Sequence, residues 1–189
     1  MAVDFFFDPP TCTIPTLDAL RTDWENVKDK KLRRAIAKEA QSLVFQRYLV
    51  ERIRFTAEGC CQKPTWSKPL SLSVRGGAIK AAILLTASIS EAVLRHHAER
   101  RKYPLPQNPK HRTFGKAIKA WIDRNDQPRS EVAAIWRELN AINRHRKHIH
   151  LHDAASDADS GFNHVLRVET RIFRIIDSVL EALRGIVTP

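Results

Sequence analysis

Between residues 144 and 152 the chain carries Arg144, Arg146, Lys147, His148, His150 and His152, with Asn143 immediately before them. Arginine suits phosphate because its planar fork contacts two oxygens and stays charged. Histidine suits proton transfer because its unperturbed pKa lies close to neutral pH. RNA supplies its own nucleophile, the 2′-hydroxyl. Cleavage then needs that proton removed, charge stabilised on the phosphorane and the leaving 5′-oxygen protonated. On this chemistry His150 is the candidate general acid/base, and Arg144 and Arg146 are candidates for the scissile phosphate. Asn143, Lys147, His148 and His152 are candidates to orient groups or bind RNA, with no metal or other cofactor required.

The helix expected from Ser130 to about His150 carries an apolar stripe of Val132, Ile135, Leu139, Ile142 and Ile149. At about 100° per residue, Arg146 falls near the centre of that stripe, His150 beside it and Asn143 on its edge. Burying Arg and His costs several kcal/mol unless they are paired or face a cavity, so a polar end to an apolar stripe points to a pocket or an interface. Arg144 and His148 fall on the opposite face. They reach the same place only if the helix unwinds or a second subunit brings its own copy. Glu91, on an upstream helix, is a candidate to hold an arginine in place, or else a polar residue on a solvated flank.

Helix capping and metal binding compete with this assignment. Basic residues stabilise a last helical turn by a few tenths to about 1 kcal/mol each, which accounts for one or two of these side chains but not for the whole set. Alternating His148, His150 and His152, followed by Asp153, suggest a metal. Alternation gathers ligands on one face of a strand and scatters them on a helix, and only His164 follows.

The elements that must position these residues are helical. Thr16 is placed to cap a helix from Leu17, with Asp18 in its first turn. Leu32 to Phe55 continues as an amphipathic helix through Leu32, Ile36, Ala40, Leu43, Tyr48 and Val50. Gly59, Pro64 and Pro69 mark a loop. A long helix follows from about Ser73 to Tyr103, and its centre, Ala78 to Leu94, is apolar nearly all round. With Lys80, Ser88, Ser90 and Glu91 inside it, this segment reads as a buried core helix rather than a membrane span. Thr113 opens a short helix to about Asp123. Asp153 to Gly161 is a polar loop, and a last helix runs from about Phe162 to Val187. The expected fold is all-α: an up-and-down bundle of four to five long helices with no sheet. Residues 1–70 form an irregular arm and helical extension packed on the bundle, and residues 71–189 form the bundle itself.

Composition sets the class. With 43% apolar and 28% charged residues over 189 positions, the chain can bury a core without staples. Cys12, Cys60 and Cys61 offer no disulfide framework and no zinc spacing, which points to a reducing, cytoplasmic setting. The first residues lack a basic start and a long apolar run, so no secretory signal is expected. Net charge is +11, and residues 95–152 hold 14 Arg/Lys against 5 Asp/Glu and seven of the eight histidines. Charge clustered in this way attracts polyanions. Trp24, Trp66, Trp121 and Trp136 are available for base stacking, although helical spacing favours core packing for Trp121 and Trp136.

The segment from Leu139 to Leu151, LNAINRHRKHIHL, resembles the signature helix end of the HEPN superfamily, in which an Arg precedes a His by four to six residues. Here Arg144 precedes His150 and Arg146 precedes His152, each with five between, so two registers compete and the Asn usual after the Arg is absent. Ala81 to Leu94 resembles the family's apolar central helix with a Glu near its end, and Thr113 to Trp121 the short helix that follows. The resemblance spans about Ser73 to Val187. It implies a helical bundle that dimerises through the motif helices and, in many members, a metal-independent endoribonuclease acting as a toxin or antiviral effector. A cognate antitoxin or defence-system protein is then a partner. Other members are non-catalytic binding modules, which predicts salt-dependent RNA binding without cleavage. A helix-turn-helix reading of Thr113–Asp123 and the Ser130 helix is disfavoured by the apolar stripe, which suits bundle packing.

Overall fold

The most apolar segment of the chain forms the axis of the fold. In a computed structural model, which describes residues 5–7, 14–55, 72–124, 132–149 and 160–187, this segment is helix α3 (Leu72–Arg100). Helices α2 (Lys30–Arg52), α4 (Phe114–Ile122), α5 (Trp136–His148) and α6 (Ser160–Arg184) all pack against it, and α1 (Leu17–Thr22) packs on α2. The architecture is the expected all-α bundle. Helices α2, α3 and α6 exceed twenty residues, while α4 and α5 are shorter. Among the described residues α3 alone is long and apolar enough to cross a membrane. Its Ile79, Ile83, Ile89, Val93 and Leu94 are spent on the protein core instead.

That core is continuous. Leu20, Ile36, Ala40 and Leu43 from the N-terminal helices, with Trp24 and Val27 from the connection between them, meet Ile142, Ile172, Ile176 and Leu183 around α3. Trp24 is therefore a core residue, as is Trp121, whose Nε1–H donates to the Leu94 carbonyl at 3.0 Å. Trp136 is half-buried against the core, and Trp66 lies outside the described residues.

Local chemistry sets the helix ends. Thr16 Oγ1 accepts from the Ala19 N–H at 3.2 Å, capping α1. The Asp29 carboxylate accepts from the Lys31 and Leu32 N–H groups at 2.8 and 3.1 Å and starts α2. Those two bonds, Leu32 first, hold its carboxyl below the usual carboxylate range. Helix α3 stops before Tyr103 because Lys102 adopts a left-handed φ of 55°. The Tyr103 N–H then reaches back to the Ala98 carbonyl at 2.8 Å, and Pro104 prevents continuation. Arg75, at the start of α3 and buried, donates through Nε to Glu169 of α6 at 2.8 Å and through Nη1 to the Val50 carbonyl of α2 at 3.0 Å. One guanidinium thus fastens three helices at that end.

Three expectations for the N-terminal part are corrected. The N-terminal arm is not wholly irregular, α2 does not run to Phe55, and the fold is not free of sheet. Strand β1 (Phe5–Phe7) pairs antiparallel with β2 (Ile53–Phe55), in the register Phe5 to Phe55, Phe6 to Arg54 and Phe7 to Ile53. Three residues are too few for alternation to show, and a run of three phenylalanines has none. Aromatic and β-branched residues nonetheless favour extended pairing once a partner strand is present. The Ser130 helix also begins differently: a single 3-10 turn at Ala133–Ile135 precedes α5.

Candidate functional site

Helix α5 contains no Gly or Pro, and its inward face follows the predicted stripe. Val132, Ile135, Leu139 and Ile142 are buried, and Ile149, just past the helix end, packs against the core. Arg146 continues this stripe, one turn beyond Ile142. Its side chain turns to α3, where Nη1 lies 3.3 Å from Glu91 Oε2. The other oxygen of Glu91 takes Arg95 Nη1 at 3.5 Å. One carboxylate therefore serves two guanidinium groups from two helices. The three side chains wall an open groove of about 370 Å³ together with Leu84, Ser88 and Ala92.

The charge of this groove is unbalanced. Two cations share one anion, and each guanidinium carries five N–H donors but directs only one to Glu91 among the described residues. The remaining donors suit an anionic ligand with several oxygens, such as a phosphodiester. Arg95 is not among the residues that the sequence pattern picks out. A signal for it exists, since it follows Glu91 by four residues, the spacing of a helical ion pair.

The other predicted residues do not all converge here. Asn143 is half-buried and faces α4, with Nδ2 only 3.5 Å from where a Cβ on Gly115 would stand. Arg144 lies about 160° around the helix from Arg146. It is exposed, as are Arg137, Asn140 and Lys147. These four make a polar, basic outer face on α5. His148 is the last residue of α5. His150 and His152 lie outside the described residues, as does Asp153 of the metal-binding alternative. Among the described residues no group of three or more His, Cys, Asp or Glu side chains is placed to hold a metal ion.

No family model, curated protein or solved structure matches this chain.

A second pair of titratable residues is absent from the sequence-based expectations. His97 on α3 is completely buried, and neither ring nitrogen has a hydrogen-bond partner among the described residues. Burial, reinforced by neighbouring His96, Arg101 and Arg100, pushes its imidazole down to about 4. His96 stands edge-on to it, with ring centroids 5.2 Å apart, and its Nε2 accepts from the Lys28 N–H at 3.3 Å. Burial and then Arg100 lower the His96 pKa too. His97 is therefore neutral at pH 7, and His96 joins the α1–α2 connection to α3. Apolar periodicity does not reveal them because a histidine at a core position reads as a surface residue.

Proposed function

We propose that this protein is a metal-independent endoribonuclease of the HEPN type, in which Arg146 and Arg144 engage the RNA phosphate and His150 is the general acid/base. The observation that carries the proposal is the placement of Arg146. It extends a buried apolar stripe into an open groove and is held there by Glu91 with Arg95 alongside. In the proposed step one histidine takes the proton from the 2′-hydroxyl and the 2′-oxygen bonds to phosphorus. The bond to the 5′-oxygen breaks, and that oxygen is protonated. The products are a 2′,3′-cyclic phosphate and a free 5′-hydroxyl.

One histidine per chain serves acid and base poorly, so a two-fold dimer that joins two sites completes the proposal. Its support is the solvent side of α3. Val74, Gly77, Ala81, Leu84 and Ser88 alternate at spacings of three and four along it; Ala81 is half-buried and the other four are exposed. Largely apolar side chains at this spacing suit the seam of a helix pair. The stripe leads directly into the Glu91 and Arg146 groove, which Leu84 and Ser88 also line. A role as a toxin or antiviral effector, with a cognate antitoxin or defence-system protein as partner, belongs to the same proposal.

The test is cleavage of RNA in excess EDTA. Persistence of cleavage, cyclic phosphate ends and loss of activity in His150→Ala are expected. Cleavage abolished by the chelator would falsify the metal-independent mechanism, and undiminished cleavage by His150→Ala would move the site to His152 or His148. One observation favours the second reading, a non-catalytic RNA-binding module: Arg144 and Arg146 face apart within one protomer. That reading predicts a dimer which binds RNA, is displaced by salt and leaves the RNA intact.

A further inference from the structure

The α5 arginines leave part of the basic surface unexplained. From Arg100 to Arg124 the chain carries eight Arg/Lys and one acidic residue, Asp123. Part of this charge is committed to structure. Arg101 lies over the Trp121 ring at 5.0 Å, and Arg112 is fixed by Glu99 at 2.7 Å and by the Pro106 and Gln107 carbonyls. Lys116 and Lys119 are different. Both are exposed on α4, one turn apart, and neither meets a carboxylate among the described residues.

These two lysines wall a second groove, of about 320 Å³, against Pro104, Leu105 and Pro106, with Ala120 and Asp123 completing it. The proline wall is rigid because each ring fixes its φ, and Arg112 holds the segment from behind through the Pro106 carbonyl. The helix that carries these lysines also packs on the helix of the first site. Gly115, beside Lys116, abuts Asn143 of α5, and Lys147 follows Asn143 by one turn, with Arg146 in the same turn. Helix rise and the usual spacing between packed helices put Arg146 about 20 Å from Lys119 along this route. A strand at duplex rise, about 3.4 Å per nucleotide, covers that in about six nucleotides, and a more extended single strand in fewer.

We infer that the groove between Pro104–Pro106 and α4 is a second phosphate-contact site, where Lys116 and Lys119 hold the backbone of an RNA strand that also engages the α5 arginines. The inference rests on the RNA reading of the α5 site and adds a direction to its substrate. A flat basic surface would equally suit an anionic membrane. A concave groove with one rigid wall and charges one helical turn apart suits a narrow, regularly charged strand better. Asp123 opposes the phosphate and limits its affinity.

The experiment is fluorescence anisotropy with labelled single-stranded RNAs of about 2 and about 12 nucleotides, chosen to fall well below and above the span given by strand rise. Wild type is compared with K116Q/K119Q and D123N across a salt series. Wild type is expected to bind the longer strand more tightly. Each phosphate contact on a single strand contributes a slope of about 0.7 in log K against log salt. K116Q/K119Q should therefore lose about 1.4 of slope on the longer strand and less on the shorter, which cannot span both sites, while D123N tightens the longer strand more than the shorter. An unchanged slope in K116Q/K119Q, with wild type binding RNA, overturns the second site and leaves the α5 reading standing. No RNA binding by wild type at either length overturns both. Lysine-dependent pelleting with phosphatidylserine vesicles in place of RNA binding overturns the inference in favour of a membrane surface.

Discussion

Arg146 of α5 and Glu91 of α3 meet at 3.3 Å, across the groove where the buried stripe of α5 ends. Glu91 both holds this arginine and opposes an incoming phosphate, because its oxygens occupy one donor from Arg146 and one from Arg95. Replacing Glu91 with Gln removes the anion and keeps the shape. RNA binding should tighten at low salt and its salt slope should steepen, while cleavage falls because Arg146 loses its anchor. Partly exposed ion pairs contribute at most about 1 kcal/mol, so urea unfolding should barely shift. A variant that cleaves at the wild-type rate would show that Glu91 does not position Arg146.

The two candidate arginines should separate by experiment. Arg144 is exposed on the outer face of α5, and Arg146 is tied to α3. Arg144→Ala should cost less than about 0.5 kcal/mol of stability, as exposed substitutions usually do. It should lower the salt slope of single-strand RNA binding by about 0.7 if one phosphate contact is lost. Arg146→Ala should lower the slope similarly and also abolish cleavage. Equal loss of cleavage in both variants is expected of the proposed dimer cleft, where Arg144 of one copy meets Arg146 of another, whereas cleavage retained in Arg144→Ala would confine Arg144 to binding.

Much of this arrangement is legible in the sequence, for identifiable reasons. The apolar stripe of α5 has a strict helical period, so residue spacing alone puts Arg146 at its end and Arg144 on the opposite face. Thr16 as a cap follows from residue type. Contacts between distant segments are not legible. No local pattern reports that Arg146 and Arg95 share Glu91, that Asn143 abuts Gly115, or that Arg75 spans to Glu169, because each depends on how helices pack. The pairing of Phe5–Phe7 with Ile53–Phe55 escapes for the same reason. A three-residue strand is defined by its partner rather than by its own sequence.

The Arg75 clamp gives a stability prediction independent of function. Arg75 is buried and bonded to Glu169 and to the Val50 carbonyl. Removing one partner of a buried pair typically costs about 3–5 kcal/mol, because the remaining charge is left uncompensated. Glu169→Ala should approach that loss in chemical denaturation. The double variant Arg75→Met, Glu169→Leu should recover most of it, since an apolar pair leaves no charge buried. If the double variant is no better than Glu169→Ala, the pair's worth lies in orienting the helices rather than in charge compensation.

The buried His97 predicts how stability depends on pH. Its imidazole is pushed from 6.5 in the unfolded chain to about 4 in the folded one. A group with a depressed folded pKa contributes stability that is complete above its unfolded value and is lost as pH falls towards the folded value. The window is therefore about pH 6.5 down to about pH 4. The loss across it is on the order of 3 kcal/mol, at about 1.36 kcal/mol per pKa unit. His96, also lowered, adds in the same direction. His97→Leu removes the titrating group and two ring nitrogens that have no partner among the described residues, each of which carries a desolvation penalty when buried. Urea unfolding at about pH 7.5 and about pH 5, on either side of the unfolded value, should show the variant more stable than wild type at both, with the larger gain at the lower pH. An equal fall in stability between the two pH values for both proteins would place the acid sensitivity elsewhere in the fold.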